Sequence, residues 1–230
     1  MKKEIFLVDA DYTLLDFHAS SALALNHAFE KSGIPYKEEY LTQFSTFNAQ
    51  LWQRLERKEL TRSQLMANRF PMFLQLLNIT SVSGEEFNQT FLHYLSTTPI
   101  YMDGAKDFLY TLNKHGRVYI VTNGTEWIQK SRFDIAKLWG YAQDVFISDC
   151  IGCDKPGKAY TDYVIRHIPN FSKERAIWIG DSLSADIQAA NDAEIESIWF
   201  NPKKKELKGE ITPTYQAHSF AEIVDILLKN

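Results

Sequence analysis

The sequence predicts an α/β fold in which a parallel sheet is interrupted, after its first strand, by a long helical segment. Short apolar runs typical of strands buried on both faces recur along the chain, at residues 5–8, 118–121, 145–147, 176–179 and 197–200. Amphipathic segments of helical length separate most of these runs. This alternation of strand and helix is typical of a parallel sheet covered by helices.

The segment between about residues 17 and 98 has no comparable apolar run and carries helix start and stop signals. Residues 61–64 (TRSQ) and 83–86 (SGEE) fit the capping-box pattern. Gly33, followed two residues later by proline, predicts the end of a helix. After the segment, a further helix is predicted to run to Gly116. We therefore expect one domain built from residues 1–16 and 99–230 and a helical domain inserted at 17–98.

Composition and charge exclude several classes of protein. The chain has 230 residues, of which 45% are hydrophobic, and its 25 Lys+Arg against 29 Asp+Glu give a net charge of −4, so a general nucleic-acid binder is not expected. The N-terminal apolar run ends at Asp9, which is too early for a signal peptide. No stretch approaches the ~20 apolar residues that span a bilayer. We expect a soluble, cytoplasmic protein without a nucleic-acid or membrane partner, and its oligomeric state stays open.

Four aspartates follow the ends of two predicted strands. Asp9 and Asp11 lie two residues apart, so their side chains share one side while the strand stays extended. Two like charges 4 Å apart cost about 4 kcal/mol at an effective dielectric of 20, so a cation or a proton must compensate. Asp181 and Asp186 follow another strand, and ligands bind beyond the carboxyl ends of parallel strands. Such carboxylates suit Mg²⁺, whereas each aspartate alone could simply be a turn or cap residue.

Candidate phosphate ligands follow two other strands. Thr122, Asn123 and Gly124 offer a hydroxyl group and backbone amides that could cradle a phosphate. Lys155 offers an ammonium group in the loop after residues 145–147. Taken alone, this lysine would be interpreted as an ordinary surface residue.

These pieces, in this order, resemble the motifs of the haloacid dehalogenase superfamily. Phosphatases of that superfamily carry D-x-D-x-T, then Ser or Thr, then Lys, then G-D followed by a second Asp. Here the motifs are Asp9-Ala10-Asp11-Tyr12-Thr13, Thr122, Lys155, and Gly180-Asp181 with Asp186. The resemblance implies a Rossmann-like parallel sheet core with an α-helical cap inserted after the first motif.

The resemblance also implies a role for each residue. Asp9 would be the nucleophile that forms an aspartyl-phosphate, and Asp11 the general acid and then the general base. Mg²⁺, with Mn²⁺ as a substitute, would be held by the Asp9 carboxylate, the Asp11 backbone carbonyl and Asp181, with Asp186 bound directly or through water. The phosphate of a small phosphomonoester would be bound by Thr122, Asn123, Gly124 and Lys155.

Further residues are similar to one branch of the superfamily, the 5′-nucleotidases that act on pyrimidine nucleoside monophosphates. They are Gln129 and Arg132 after the Thr122 motif, and the W-F-N-P ending at 199–202. The implied substrate is a nucleotide. Two residues depart from the pattern: Tyr12 replaces a small or acidic residue, and Glu194 replaces a glycine. Glu194 indicates either a regular local backbone or mild strain.

Alternatives remain at this point. Another small phosphate ester, such as a sugar phosphate or phosphoglycolate, could be the substrate, the chain could be a phosphomutase, or it could be a signalling module that only binds phosphate. Cys150 and Cys153, in the loop before Lys155, are interpreted as ordinary thiols rather than a redox or zinc motif. A set of aromatic residues in the helical segment could stack a base or form a core: Phe44, Phe47, Trp52, Phe70 and Phe73.

Overall fold

The computed structural model describes residues 3–229 and divides the chain into two compact units. The helical unit is Phe17–Pro99. The α/β unit combines the residues up to Asp16 with those from Ile100 onward. Among the described residues, none of the helices is long and apolar enough to cross a membrane.

The helical unit contains four helices. They are α1 (Phe17–Lys31), α2 (Glu38–Glu56), α3 (Arg62–Leu76) and α4 (Gly84–Thr97). The capping box at the start of α3 is confirmed: Thr61 Oγ1 accepts from the Gln64 amide, and Gln64 Oε1 accepts from the Thr61 amide. Of the two predicted capping boxes, the one at 83–86 forms only its first half, in which Ser83 Oγ accepts from the Glu86 amide. Gly33, just after α1, has φ 69°, the left-handed conformation that glycine adopts without strain.

Phenylalanine rings form the core of the helical unit. Phe44, Phe70 and Phe73 are buried, and the ring centroids of Phe44 and Phe70 lie 5.2 Å apart. These three rings therefore belong to the core. Phe47 and Trp52 are partly buried and pack against a smaller cluster around Leu51, Leu55 and Leu65.

One charged side chain lies inside this aromatic core. Arg69 is 2% exposed, and its guanidinium contacts the side-chain oxygens of Asn48 and Asn88 at 3.4 and 3.3 Å. Burial lowers the pKa of Arg69 to about 10.

The α/β unit is built on a six-stranded parallel sheet, which confirms the predicted fold class. Its strand order is β3-β2-β1-β4-β5-β6. The strands are β1 (Ile5–Asp9), β2 (Arg117–Thr122), β3 (Asp144–Ile147), β4 (Ala176–Gly180), β5 (Glu196–Phe200) and β6 (Tyr215–Ala217). The short edge strand β6 was not predicted.

Within residues 3–229, six helices accompany the sheet. They are α5 (Ala105–His115), α6 (Glu126–Ala136), α7 (Ser148–Ile151), α8 (Lys158–His167), α9 (Gln188–Asp192) and α10 (Phe220–Lys229). A π-helical turn, Leu183–Ile187, leads into α9, and single 3₁₀ turns lie at Leu138–Gly140 and Lys173–Arg175. As predicted, α5 ends just before Gly116.

Alternate residues of β1 pack into two different cores, because successive side chains of a strand point to opposite faces. Phe6 and Val8 belong to a cluster that includes Phe108 of α5 and Ile223 of α10. Ile5 and Leu7, with alternate residues of β4, belong to a second cluster that includes residues of α8 and α9. Both faces of the central strand are therefore covered, and its C-terminal end at Asp9 is held at a fixed position between β2 and β4.

The two departures from the family motif both have positive φ. Tyr12 has φ 64° and Glu194 has φ 56°, so each occupies the left-handed region that disfavours side chains with a Cβ. For Glu194, this observation selects strain over a regular backbone. Its carboxylate forms an exposed ion pair with Lys173 at 2.7 Å.

Candidate active site

The sheet topology brings together the ends of three strands that carry the candidate residues. β1 pairs with both β2 and β4, and Asp9 lies beside Val121 in the register. Thr122 ends β2 and Gly180 ends β4. The carboxyl ends of β1, β2 and β4 therefore meet at one edge of the sheet, which is where parallel sheets bind ligands.

Asp9 is buried, and both of its carboxylate oxygens are engaged. Oδ1 accepts from Lys155 Nζ at 2.7 Å, and Oδ2 accepts from Thr13 Oγ1 at 3.0 Å. Burial raises the pKa of Asp9 to about 7; Lys155 opposes this shift, and the Asp186 carboxylate adds to it. Thr13, the last residue of the first motif, thus fixes the orientation of the Asp9 carboxylate.

Lys155 is 2% exposed, so the interpretation as a surface lysine is wrong. Its ammonium donates to Asp9 Oδ1 and Asp186 Oδ1, each at 2.7 Å, and to the Val121 carbonyl at 2.9 Å. Burial by itself would lower the pKa of Lys155, but the Asp186 and Asp9 carboxylates outweigh burial, and the pKa is raised. The lysine is therefore a fixed positive charge inside the site.

The Asn123 side chain holds the backbone of Lys155 in place. Asn123 Nδ2 donates to the Lys155 carbonyl, and Asn123 Oδ1 accepts from the Lys155 amide, both at 2.8 Å. The amide of Asn123 therefore works as a clamp between two loops, a contact that the sequence did not indicate.

Asp9, Asp181 and Asp186 form a carboxylate cluster, with one oxygen of each lying within 4.8 Å of the others. The pKa of Asp181 is raised well above its usual value, first by burial and then by Asp9 and Asp186. Three carboxylates against the Lys155 ammonium leave a negative charge that a hard cation would compensate. An all-oxygen donor set of this kind fits Mg²⁺ or Mn²⁺.

Two tryptophans and one glycine hold this cluster. Trp178 Nε1 donates to Asp186 Oδ1 at 3.3 Å, and Trp199 Nε1 donates to the Asp181 carbonyl at 2.9 Å. The Trp199 contact gives a structural reason for the first residue of the W-F-N-P ending. A Cβ on Gly180 would lie 2.3 Å from Asp186 Cγ, so the π-helical turn can bring Asp186 to the end of β4 only because residue 180 is glycine.

Asp11 has its own set of partners. Arg132 Nη1 lies 2.7 Å from Asp11 Oδ1, and Gln129 Nε2 donates to Asp11 Oδ2 at 2.9 Å. The cationic compensation that the sequence required is thus divided, with Lys155 beside Asp9 and Arg132 beside Asp11. The resemblance to the nucleotidase branch includes Gln129 and Arg132 but gives neither residue a role.

The candidate phosphate-binding turn lies next to this second network. Thr122 Oγ1 accepts from the same Gln129 Nε2 at 2.9 Å. A Cβ on Gly124 would lie 2.4 Å from Gln129 Cγ, so glycine at this position leaves space for the glutamine. Thr122 is the last residue of β2, and Asn123 and Gly124 follow the strand. Thr122 accepts a hydrogen bond from Gln129, and Gly124 leaves space for the Gln129 side chain.

The cysteine pair is not located as the sequence indicated. Cys150 lies in the short helix α7 rather than in a loop, and Cys153 follows two residues after the end of that helix. Both thiols are free, and burial is the first cause that raises the pKa of each. A raised pKa lowers the reactive thiolate fraction, which favours the interpretation as ordinary thiols.

Comparisons with known proteins assign the family. The family model described as haloacid dehalogenase-like hydrolase matches residues 6–200. The HAD-hydrolase YfnB of Bacillus subtilis is 36% identical over 221 residues, which cover 96% of this chain and 94% of YfnB. A crystal structure of YfnB bound to magnesium superposes with a TM-score of 0.92, at 35% identity and 99% coverage of both chains.

Two further relatives carry a named activity. The pyrimidine 5′-nucleotidase PynA of Streptococcus pneumoniae is 33% identical, with 99% of this chain and 96% of PynA covered. The pyrimidine 5′-nucleotidase YjjG of Escherichia coli is 26% identical over the full length of both chains. With the family model covering most of the sequence and two relatives above 30% identity over nearly all of it, the chain belongs to the haloacid dehalogenase-like hydrolase family.

Proposed function

We propose that this hydrolase cleaves small phosphomonoesters through an aspartyl-phosphate on Asp9, with residues 1–16 and 99–230 as its catalytic core and 17–98 as its cap. The main support for the proposal is the environment of the Asp9 carboxylate. Its carboxylate is buried at the end of β1, is oriented by Thr13 and faces the Lys155 ammonium. A carboxylate is a weak nucleophile, so it needs this fixed orientation and nearby positive charge to attack phosphorus.

The first half of the reaction transfers the phosphoryl group to Asp9. An Asp9 oxygen forms a bond to phosphorus while the ester P–O bond breaks, and protonated Asp11 gives its proton to the departing alkoxide. Lys155, the Thr122 hydroxyl and the backbone amides of Asn123 and Gly124 bind the phosphoryl oxygens. These groups stabilise the charge that the phosphoryl group carries in the transition state.

The second half regenerates the enzyme. Asp11, now a carboxylate, takes a proton from a water molecule that attacks phosphorus. The bond between phosphorus and the Asp9 oxygen breaks, and inorganic phosphate leaves. Asp11 is then protonated again, so the two halves balance.

The carboxylate cluster supports a divalent cation at this site. Asp9, Asp181, the Asp11 backbone carbonyl and, directly or through water, Asp186 would hold Mg²⁺ or Mn²⁺. The cation, when bound, supplies positive charge that offsets the charge of the phosphate and of the carboxylates. The magnesium bound in the YfnB crystal structure supports this part of the proposal.

For the substrate, we propose nucleoside 5′-monophosphates with a preference for pyrimidines. The named activities of PynA and YjjG support this class. Sugar phosphates and phosphoglycolate are the runner-up substrates. An extra 1 to 3 kcal/mol of transition-state binding would favour nucleotides by roughly 10- to 100-fold in kcat/KM.

A substrate panel tests the proposal. UMP, dUMP, dTMP, AMP, glucose 6-phosphate and phosphoglycolate would be assayed for phosphate release with Mg²⁺ and after chelation. We expect turnover only with the cation and the highest kcat/KM for a pyrimidine nucleotide. A sugar phosphate or phosphoglycolate at the head of the panel would contradict the substrate class, and a phosphate transfer without net release would indicate a mutase.

A further inference from the structure

Helix α6 carries a buried polar network, centred on Arg132, that the proposed mechanism does not use. Arg132 is 1% exposed although its side chain carries a full charge. A buried guanidinium is costly unless it is paired, and the Asp11 carboxylate lies 2.7 Å away. The two residues lie far apart in sequence, so the fold itself places this charge beside Asp11.

Gln129 links Arg132 to two other groups. Its Oε1 accepts from Arg132 Nη1 at 2.8 Å, and its Nε2 donates to Asp11 Oδ2 and to Thr122 Oγ1, each at 2.9 Å. The guanidinium has only donors, so the amide oxygen of Gln129 must face it and the amide nitrogen must face the other way. Arg132 therefore sets the orientation of the Gln129 amide, so that its NH₂ group points toward Asp11 and Thr122.

This orientation has a consequence for each of the two groups. Asp11 Oδ2 accepts from Gln129, and Asp11 Oδ1 forms an ion pair with Arg132. Residues 129 and 132 lie three apart and therefore on one side of α6. The Thr122 oxygen already accepts from Gln129, which leaves the hydroxyl proton of Thr122 to donate to an anion. One helix face thus fixes the proton-transferring carboxyl and a phosphate-binding hydroxyl together.

We propose that Arg132 and Gln129 are positioning residues that hold Asp11 and Thr122 in the arrangement needed to protonate the leaving group. This proposal rests on the proposed function, because it assumes that Asp11 is the acid. Arg132 and Gln129 act through Asp11 and Thr122 rather than by touching the substrate.

The test compares two substrates by kcat/KM, which reports the steps through the first phosphoryl transfer. dUMP has a poor alkoxide leaving group that needs a proton, whereas p-nitrophenyl phosphate releases a stable phenolate. Arg132→Met should lower kcat/KM for dUMP by about 10- to 100-fold and for p-nitrophenyl phosphate far less, because a misplaced catalytic group costs on this scale. Arg132→Lys, which restores charge and donors, should recover part of the loss.

Gln129→Met should show the same selective loss on dUMP and, in addition, a raised KM for both substrates, because Thr122 loses its partner. Combining Arg132→Met with Asp11→Asn should cost no more on dUMP than Asp11→Asn alone, since there is then no acid to position. The matched control is Arg69→Met, which removes a second buried arginine from the helical unit. It should leave the ratio of the two kcat/KM values unchanged, whatever it does to the melting temperature.

The outcomes separate the two proposals. One result would be that Asp11→Asn shifts the ratio of the two kcat/KM values while the Arg132 and Gln129 variants lower both values equally or leave both unchanged. That result would refute the positioning role and leave the proposed function standing. If Asp11→Asn leaves the ratio unchanged, or the wild type hydrolyses neither ester, the acid role fails and the positioning role fails with it. Should Arg132→Met not fold, the Lys and Gln129 variants still decide the question.

Discussion

The Lys155 ammonium lies 2.7 Å from the Asp9 carboxylate, although 146 positions separate the two residues in the sequence. Both groups are buried, and Asp186 shares the same ammonium. The arrangement fixes a nucleophile and a positive charge at the end of β1 before any substrate arrives. Loss of any one of these three buried charges should therefore change the stability or the activity of the protein.

Removal of the lysine charge should therefore destabilise the fold. Lys155→Met would leave the Asp9 and Asp186 carboxylates uncompensated, and breaking a buried ion pair from one side costs about 3 to 5 kcal/mol. The free energy of unfolding, measured with urea in the presence of a chelator, checks this. Lys158→Met is the control, because Lys158 is 83% exposed and pairs only at the surface with Asp162; it should change stability by less than about 0.5 kcal/mol.

Loss of the nucleophile should separate activity from folding. Asp9→Asn keeps the size of the side chain but removes the attacking oxygen anion, so turnover should fall by many orders of magnitude. The melting temperature of this variant should not collapse, because the substitution also removes one of three clustered carboxylates. Residual turnover near the wild-type level would exclude Asp9 as the nucleophile.

Asp11→Asn should have a different signature. The nucleophile remains but the acid is lost, which should cost about 10²- to 10⁴-fold in kcat/KM on a nucleotide and much less on p-nitrophenyl phosphate. Steady-state assays of both esters give the comparison. An equal loss on the two substrates would contradict the acid role.

Cation binding should stabilise the protein in a pH-dependent way. The pKa of Asp9 is raised from 3.8 to about 7. Protonated Asp9 therefore adds to the free energy of unfolding at low pH, and this stabilisation is lost as the pH rises through about 7. Mg²⁺ binds the deprotonated carboxylates and competes with protons. The gain in melting temperature on adding Mg²⁺ should thus be larger at about pH 8 than at about pH 5.5, and Asp181→Asn should reduce it. A gain that is the same at both pH values would refute this coupling.

The glycine at the end of β4 should not tolerate a side chain. In Gly180→Ala the new Cβ would meet Asp186 Cγ at 2.3 Å, so Asp186 must move and release Lys155. We expect lower stability together with a large loss of activity. Gly140→Ala is the matched control, because a Cβ there meets nothing within 4 Å; comparable losses in the two variants would show that the contact with Asp186 does not matter.

The sequence predicts those elements of the fold and the site for which a local pattern is compatible with one structure only. β1 to β5 each contain an apolar run, because strands covered on both faces bury most of their side chains. The three-residue strand β6 was missed because only Ala217 of its residues is buried, and Tyr215 and Gln216 give no apolar run. The convergence of Asp9, Asp181 and Asp186 followed from the rule that parallel strands end at one edge.

The contacts that the sequence did not indicate are those made by buried polar groups. Arg132 and Lys155 are charged residues, which sequence patterns assign to the surface, and only the fold shows the carboxylates that compensate them. The clamp between Asn123 and Lys155 joins loops after two different strands, so no local sequence pattern predicts it. From sequence alone, the phenylalanines of the helical unit could form a core or stack a base. Their burial in the structure assigns Phe44, Phe70 and Phe73 to the core.

In the proposed mechanism, a phosphomonoester transfers its phosphoryl group to Asp9. The most direct measurement mixes the enzyme with dUMP and Mg²⁺, stops the reaction with acid within a turnover, and reduces the denatured protein with borohydride, which converts an aspartyl-phosphate to homoserine. Mass spectrometry of the N-terminal peptides then locates the product. We expect homoserine at position 9 in the wild type and unmodified residue 9 in Asp9→Asn. Turnover of dUMP with an unmodified Asp9, or with homoserine at another aspartate position, would contradict this mechanism.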